Sequence, residues 1–367
     1  SVNTDFAQTE VDERQLNLTR FPLFFPEKRQ FFLEDSGIFG FGGAESTSRR
    51  SSDSSSTLLI PFFSRRIGLS SDGEVDPIQF AGKITGRVKS YNIGFLDAVV
   101  ESKEGTRNVF VGRVSKNIFE QSSVGFLSTL GDPNSDEMNA LAGMDFQFRS
   151  SDMFGGRNFR FNAYALASYV EESDSLEPAW NISSSLEDRN IDLSASITEI
   201  GEEFDPAMGF VRRRGNRRYA AELDLTPYHD NLNWLRNTRH GYDAEMYTDL
   251  GNNLINTKQK FDLATLYLES QDIIGLSVSH ITDKPSERFS ISDGTPIPAD
   301  NYEWGGLNLR GYLGMHRRAF FGPFYSIDGY YGGLRHQFGL TSYFTPWPNL
   351  KFGGKIEKNL IELTYLY

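Results

Sequence analysis

The chain has 367 residues, of which 38% are hydrophobic, and its mean hydropathy is −0.43. No stretch reaches the roughly 20 apolar residues that a membrane-spanning helix needs, which excludes a helical membrane protein. The net charge of −12 argues against a nucleic-acid partner, and the lack of cysteine excludes disulfides and thiolate sites. The 30 Phe, 16 Tyr and 34 Gly favour strands and turns.

The first residues, Ser1 to Asp5, have neither the basic nor the apolar region of a signal peptide. We therefore expect that a leader has been removed or that the chain starts downstream of a missing N-terminal part.

A dense aromatic and charged segment, which we name the aromatic block, occupies residues 21–34. It has no period-two alternation, and Pro22 and Pro26 disfavour both a helix and a central strand. We expect it to lie inside a barrel as a plug, with its rings against the wall and its charges paired with lumenal groups. The alternative is a connecting segment that packs at the rim. The candidate plug residues are Phe24, Phe25, Glu27, Lys28, Arg29, Phe31, Phe32 and Glu34.

A serine-rich tract over residues 44–56 predicts a polar loop, and residues 57–68 resume an extended run. We therefore divide the chain at residue 56. Residues 1–56 comprise an N-terminal strand, the plug-like aromatic block and the loop. Residues 57–367 carry the barrel strands, and the two parts form one domain.

From about residue 77 onwards, period-two alternation dominates. In one run Ile191, Leu193 and Ile197 alternate with Asp192 and Ser194, and similar runs occupy residues 159–169, 219–226 and 307–316. Such runs exceed the five or six residues usual in soluble proteins and match the roughly 9–11 residues that a tilted strand needs to cross a bilayer. We count roughly 16–18 runs and predict an all-β fold, a large antiparallel transmembrane β-barrel.

Connections alternate between short and long, as in outer-membrane barrels. The short ones are at 89–92, 270–272 and 346–349, and the long ones at 131–137, 171–178 and 283–301. Aromatic residues cluster near the run ends, which fits girdles at the level of the lipid headgroups. The alternative is aromatic capping of a soluble sheet.

Two arginine clusters lie near the ends of strand-like runs, and their candidate residues are Arg65, Arg66, Arg212 and Arg213. Lumenal arginines bias a pore toward anions, whereas arginines at headgroup level bind lipid phosphates. A third interpretation is inward pairing with the acidic side chains of residues 27–35. We favour inward pairing, because a cation that faces lipid at the membrane midplane costs about 2–4 kcal/mol.

The sequence gives no support for catalysis. Adjacent acids such as Glu171 and Glu172 do not form the converging pair that a glycosidase needs, and the loop at 131–137 lacks an EF-hand pattern. The five histidines form no ligand pair, and no Gly-x-Ser-x-Gly elbow occurs. We predict no catalytic, cofactor-binding or metal-binding residues and no cofactor.

Longer motifs lie at residues 3–8, 17–21, 24–34, 63–68, 82–87 and 204–213. Together they resemble one uncharacterised family, a domain of unknown function. The resemblance implies an outer-membrane β-barrel of the kind that usually follows a family 9-like carbohydrate-binding module in Gram-negative bacteria. The chain lacks that module, and the resemblance implies further strands after the region of residues 359–367.

These observations predict an outer-membrane barrel of unknown specific activity that acts as a channel, a transporter or a surface scaffold. The alternatives are a closed barrel that anchors another protein, an outer-membrane hydrolase or a soluble β-sandwich array. The expected partners are the lipid bilayer with lipopolysaccharide or another outer-membrane lipid, and a periplasmic or surface protein. No nucleic acid is expected.

Overall fold

The computed structural model describes residues 2–3, 17, 19–43, 58–70, 74–102, 105–291 and 295–363. The chain is all-β, and within these ranges a large antiparallel sheet contains sixteen strands of 9–15 residues and one two-residue strand. The predicted all-β class and the predicted strand number are confirmed.

The strands, in chain order, have the following bounds. They are β1 (Val2–Asn3), β2 (Leu59–Ile60), β3 (Ile78–Val88), β4 (Tyr91–Ser102), β5 (Gly105–Ile118), β6 (Ser122–Leu130), β7 (Asn139–Ser150), β8 (Asn158–Val170), β9 (Ser175–Glu187), β10 (Ile191–Ile200), β11 (Phe210–Val211), β12 (Asn216–Leu225), β13 (Leu235–Thr248), β14 (Leu254–Leu268), β15 (Ile273–Asp283), β16 (Phe289–Ile291), β17 (Thr295–Ile297), β18 (Tyr302–Tyr312), β19 (Ala319–Tyr330), β20 (Gly333–Trp347) and β21 (Leu350–Glu362).

Helical structure is limited to single turns. These are α1 (Gln30–Leu33), α2 (Met153–Gly156) and two 3-10 turns at Ser36–Phe39 and Ser64–Arg66. No helix in the described part of the chain is long and apolar enough to cross a membrane.

The chain divides into two compact units. Unit 1 comprises Ser1–Ser185, Ser196–Arg217 and Ile291–Gly294, and unit 2 comprises Leu186–Ala195, Arg218–Ser290 and Thr295–Tyr367. In unit 1 the strands from β3 to β8 pair in sequence order, and β1 pairs with β3 through Val2 and Gly82. In unit 2 the strands β13, β14, β15, β18, β19, β20 and β21 also pair in chain order.

On strands such as β3 and β7, the two faces of the sheet have opposite polarity, and the polar side chains are the buried ones. On β3, Lys83 is only 3% exposed, whereas its neighbour Ile84 is 72% exposed. On β7, Asp145 is 5% exposed and Met144 is 68% exposed. We name the two faces the polar face and the apolar face.

The polar face of unit 1 also carries apolar side chains, which contact the aromatic block. Phe31, Phe32 and Phe39 form a buried cluster with Ile67 and with β3, β4 and β5 residues such as Leu96. A second cluster joins Phe41, Leu59 and Phe204 to residues of β6, β7 and β8.

The polar face of unit 2 is held together by ion pairs. Arg239 contacts Asp224 at 2.7 Å and Asp262 at 3.5 Å, and Lys260 contacts Asp262 at 2.8 Å. Farther along the sheet, Arg335 of β20 contacts Asp328 of β19 at 2.8 Å. Each pair joins residues of adjacent strands or of the same strand, so the network follows the strand register.

Two local predictions were wrong. Of the extended run predicted at residues 57–68, the described part, residues 58–68, contains a strand at Leu59–Ile60, and a 3-10 turn follows it. This turn is fixed by a hydrogen bond from the Phe63 N–H to the Met208 carbonyl at 2.7 Å. The loop predicted at 171–178 is shorter, because β9 begins at Ser175.

Candidate functional site

The aromatic block is the most distinctive feature of unit 1, and local hydrogen bonds fix its path. Its one helical turn, α1, places Phe31 and Phe32 against the polar face, where both are buried. The two rings contact each other edge to face at 5.1 Å. The block therefore covers part of the polar face of unit 1 with aromatic surface.

Glu27 and Arg29 form the central ion pair of the block. The Glu27 carboxylate accepts hydrogen bonds from the Arg29 Nε at 2.9 Å and the Ser64 Oγ at 2.8 Å. It also accepts from the backbone N–H groups of Lys28 and Arg29, each at 2.9 Å. Burial by itself raises the pKa of Glu27, but the hydrogen bonds and charge of Arg29 bring that pKa below its ordinary value.

The guanidinium of Arg29 joins the block to the segment of residues 64–67. It donates to the carbonyl oxygens of Ile67 at 2.7 Å and Ser64 at 2.9 Å, and it lies 4.3 Å from the centroid of the Phe32 ring. A single planar side chain thus satisfies a carboxylate and two carbonyl groups, a geometry that lysine cannot reproduce.

The four arginines selected from the sequence all lie in this assembly. Arg65 donates to the Pro26 carbonyl at 2.9 Å and lies over the Phe25 ring at 5.7 Å. Arg66 donates to the Gly209 carbonyl at 3.0 Å. Arg212 and Arg213 lie 6.0 and 3.6 Å from the centroid of the Phe21 ring. Their contacts therefore include backbone carbonyls and aromatic faces.

A third segment, residues 204–214, completes the assembly. Strand β11 pairs with β2, with Phe210 opposite Ile60. The centroid of the Phe24 ring lies 5.1 Å from that of Phe63 and 5.4 Å from that of Phe210. The aromatic block, the segment around residue 63 and the segment of residues 204–214 therefore meet in one aromatic cluster. Phe204 is completely buried in the second cluster.

Lys83 of β3 fixes the aromatic block to the sheet. Its ammonium group donates to the carbonyl of Phe31 at 2.6 Å and also to that of Glu34. Next to it on the same face, the Thr85 hydroxyl donates to Asp35 at 2.8 Å. Glu34 takes part in this contact through its backbone carbonyl, which accepts the hydrogen bond.

A second attachment lies on β5 and β7. Arg113 and Asp145 form a bidentate ion pair at 2.5 and 3.0 Å, and both side chains are almost completely buried. Asp145 also accepts from the backbone N–H of Gly42 at 3.1 Å, and Arg113 lies 5.1 Å from the centroid of the Phe41 ring. The pair therefore holds the end of the segment that follows the block.

Sequence reasoning selected the block and the arginines but missed Lys83, Arg113 and Asp145. Each lies on the polar side of an alternating run, and this position was the sequence signal that could have identified them. Their partners could not be found in this way, because they depend on strand register and on the path of the block across the sheet.

Comparison with known protein families finds one match. Residues 2–121 match the model of a domain of unknown function, DUF5916. The family resemblance that the motifs indicated is confirmed over this range, which contains the aromatic block and strands β3 to β5. No curated protein and no solved structure matches the chain.

Glu27→Gln is expected to destabilise the protein at neutral pH and to flatten the dependence of its stability on pH. The folded pKa is lower than the ordinary value of 4.5, so the stabilisation is complete above the unfolded pKa and is lost as the pH falls through the folded pKa. Denaturant unfolding over a pH series measures this. Glu34→Gln, at an exposed position, is the control, and equal pH profiles for wild type and Glu27→Gln contradict the assignment.

Breaking the buried pair by Arg113→Met or Asp145→Leu alone is expected to cost about 3–5 kcal/mol, because it leaves the other charge buried without its partner. The double variant is expected to lose much less than the sum of the two. A double-mutant cycle of unfolding free energies measures the coupling. Arg214→Met provides the control, since its pair with Asp205 is about 40% exposed on both sides and is worth about 0–1 kcal/mol. Additive losses at residues 113 and 145 count against the coupling.

Proposed function

We propose that the sheet closes into a membrane-spanning β-barrel of the bacterial outer membrane and passes small polar solutes, with the aromatic block as its internal restriction. The observation that carries the proposal is the opposite polarity of the two sheet faces. A soluble protein buries apolar side chains and exposes charged ones. Here Lys83 and Asp145 are buried beside exposed Ile84 and Met144, as expected for a sheet with lipid outside and polar groups inside.

Strand length supports the same proposal. The sixteen long strands of the described ranges have 9–15 residues, and a tilted strand needs roughly 9–11 residues to cross the hydrocarbon layer.

Aromatic side chains at the strand ends fit a position at the membrane interface. Phe119 and Phe154 lie in turns of unit 1 and are 80% and 60% exposed. Phe119 contacts Phe148 at 6.4 Å, and Phe154 contacts Phe159 at 5.4 Å, so the turn rings continue the apolar face of the strands. In unit 2, Trp347 at the end of β20 is 64% exposed. Such rings are stable where hydrocarbon meets headgroups.

The second candidate function is a closed barrel that anchors another protein and passes nothing. The observation that favours it is the number of independent attachments of the aromatic block and the residues that follow it, at Lys83, at Arg113 with Asp145, and at Arg29. If these three attachments persist, the segment fills the interior of the barrel and no solute passes.

Conductance in planar bilayers distinguishes the two functions. The variant Lys83→Met/Asp145→Asn removes the Lys83 donor and the Asp145 charge, so we expect the folded, inserted variant to raise the conductance at least several-fold over wild type. Deletion of residues 21–43 is expected to raise it further. Lys116→Met is the control, because Lys116 contacts Tyr91 on the apolar side. If folded, inserted variants carry no current, the anchor function is favoured and the channel is wrong.

A further inference from the structure

One register row of unit 2 places a hydroxyl group, a cation and an aromatic ring side by side on the polar face. Thr265 of β14 lies opposite Gly275 of β15, which lies opposite Arg310 of β18. Arg310 in turn lies opposite Phe324 of β19. Residues at opposite positions point to the same side of a sheet. The three side chains therefore share one face, with a gap at the glycine.

Arg310 differs from the other strand arginines of unit 2 in its partners. Arg218, Arg239 and Arg335 each form an ion pair with a carboxylate. Arg310 is half-buried and forms no hydrogen bond, ion pair or ring contact with any residue that the structure describes. A guanidinium has five N–H donors and no acceptor, so this side chain is free to hold an oxyanion.

The space above Gly275 is bordered by the guanidinium and by the hydroxyl group. A β-carbon placed on Gly275 would lie 3.1 Å from the Arg310 Nε and 3.4 Å from the Thr265 Oγ1. Thr265 is only 3% exposed, and its hydroxyl has no hydrogen-bond partner among the described residues. A buried hydroxyl without a partner costs free energy. An acceptor above Gly275 that reaches both donors removes this cost.

The groups around the row select the charge and the body of a ligand. Arg239, which lies opposite Thr265, is already paired with Asp224 and Asp262. These two carboxylates repel a second negative charge on a ligand. On the other side of Arg310, Phe324 is partly exposed, and Tyr312 lies two residues farther along β18 on the same face and is 41% exposed. The two rings offer apolar contact surface.

We propose that this row binds a small aromatic monocarboxylate, with its carboxylate on Arg310 and Thr265 and its ring against Phe324 and Tyr312. A guanidinium forms two parallel hydrogen bonds to a carboxylate, and the Thr265 hydroxyl donates a third. As a statement about which solutes pass, the inference rests on the proposed channel function. Binding itself needs only strands β14, β15, β18 and β19 of unit 2.

Calorimetric titration of the full chain in detergent with benzoate tests the site. Wild type is expected to show saturable binding. Arg310→Gln is expected to weaken it about tenfold or more, because charge-assisted hydrogen bonds are lost, and Thr265→Val about threefold, because one neutral donor is lost. Lys355→Gln is the control, since it removes one cation from the same face at a side chain that is 64% exposed. Its affinity is expected to stay within about twofold of wild type. Acetate lacks the ring and benzyl alcohol lacks the charge, so both are expected to bind wild type more weakly than benzoate.

Thermal unfolding gives a second readout that a folding defect does not imitate. Without ligand, Arg310→Gln and Thr265→Val are expected to keep the melting temperature of wild type, because neither loses a bond to a described residue. Benzoate is expected to raise the melting temperature of wild type and of Lys355→Gln but not of Arg310→Gln. Absence of saturable benzoate binding by wild type, equal weakening in Arg310→Gln and Lys355→Gln, or equal affinity for acetate overturns the site.

Conductance of the same preparation separates this inference from the proposed function. Benzoate binding by a protein that carries no current contradicts the channel and leaves the site intact. Current through a protein that does not bind benzoate contradicts the site and leaves the channel intact.

Discussion

Burial of charged groups on one face of the sheet is the constraint on which the rest of the structure depends. A buried charge is stable only when it is paired or hydrogen-bonded, so each strand has to bring a partner to its charged side chains. In unit 2 the partners come from neighbouring strands: Arg239 forms ion pairs with both Asp224 and Asp262. In unit 1 the partner is often the aromatic block, whose backbone carbonyls accept from Lys83.

The aromatic block therefore has two physical roles. Its phenyl rings cover the apolar parts of the polar face, and its carbonyl and N–H groups satisfy buried charges. The Glu27 and Arg29 pair holds the block in the shape that both roles require, because it joins residues 27–29 to residues 64–67.

Strand alternation was sufficient to predict the fold class, since period-two runs such as residues 191–197 state which side is apolar. It also located the aromatic block, because Pro22 and Pro26 interrupt any regular element. Strand alternation could not predict that Lys83 donates a hydrogen bond to the Phe31 carbonyl, or that Arg149 lies opposite Arg160. Both facts come from register and from tertiary path, which local sequence does not encode. The four selected arginines were placed with the block, but their ring and carbonyl contacts were not foreseen.

In the proposed barrel, the apolar face contacts lipid and the polar face contacts water. The chain has no cysteine, so single nitroxide labels can be attached at Ile356→Cys and Lys355→Cys on β21. Both positions are accessible, with Ile356 73% exposed and the Lys355 side chain 64% exposed. In bilayers, collisions with oxygen are predicted to dominate at residue 356 and collisions with a water-soluble nickel chelate at residue 355. Equal access of the chelate to both positions contradicts a membrane-spanning sheet.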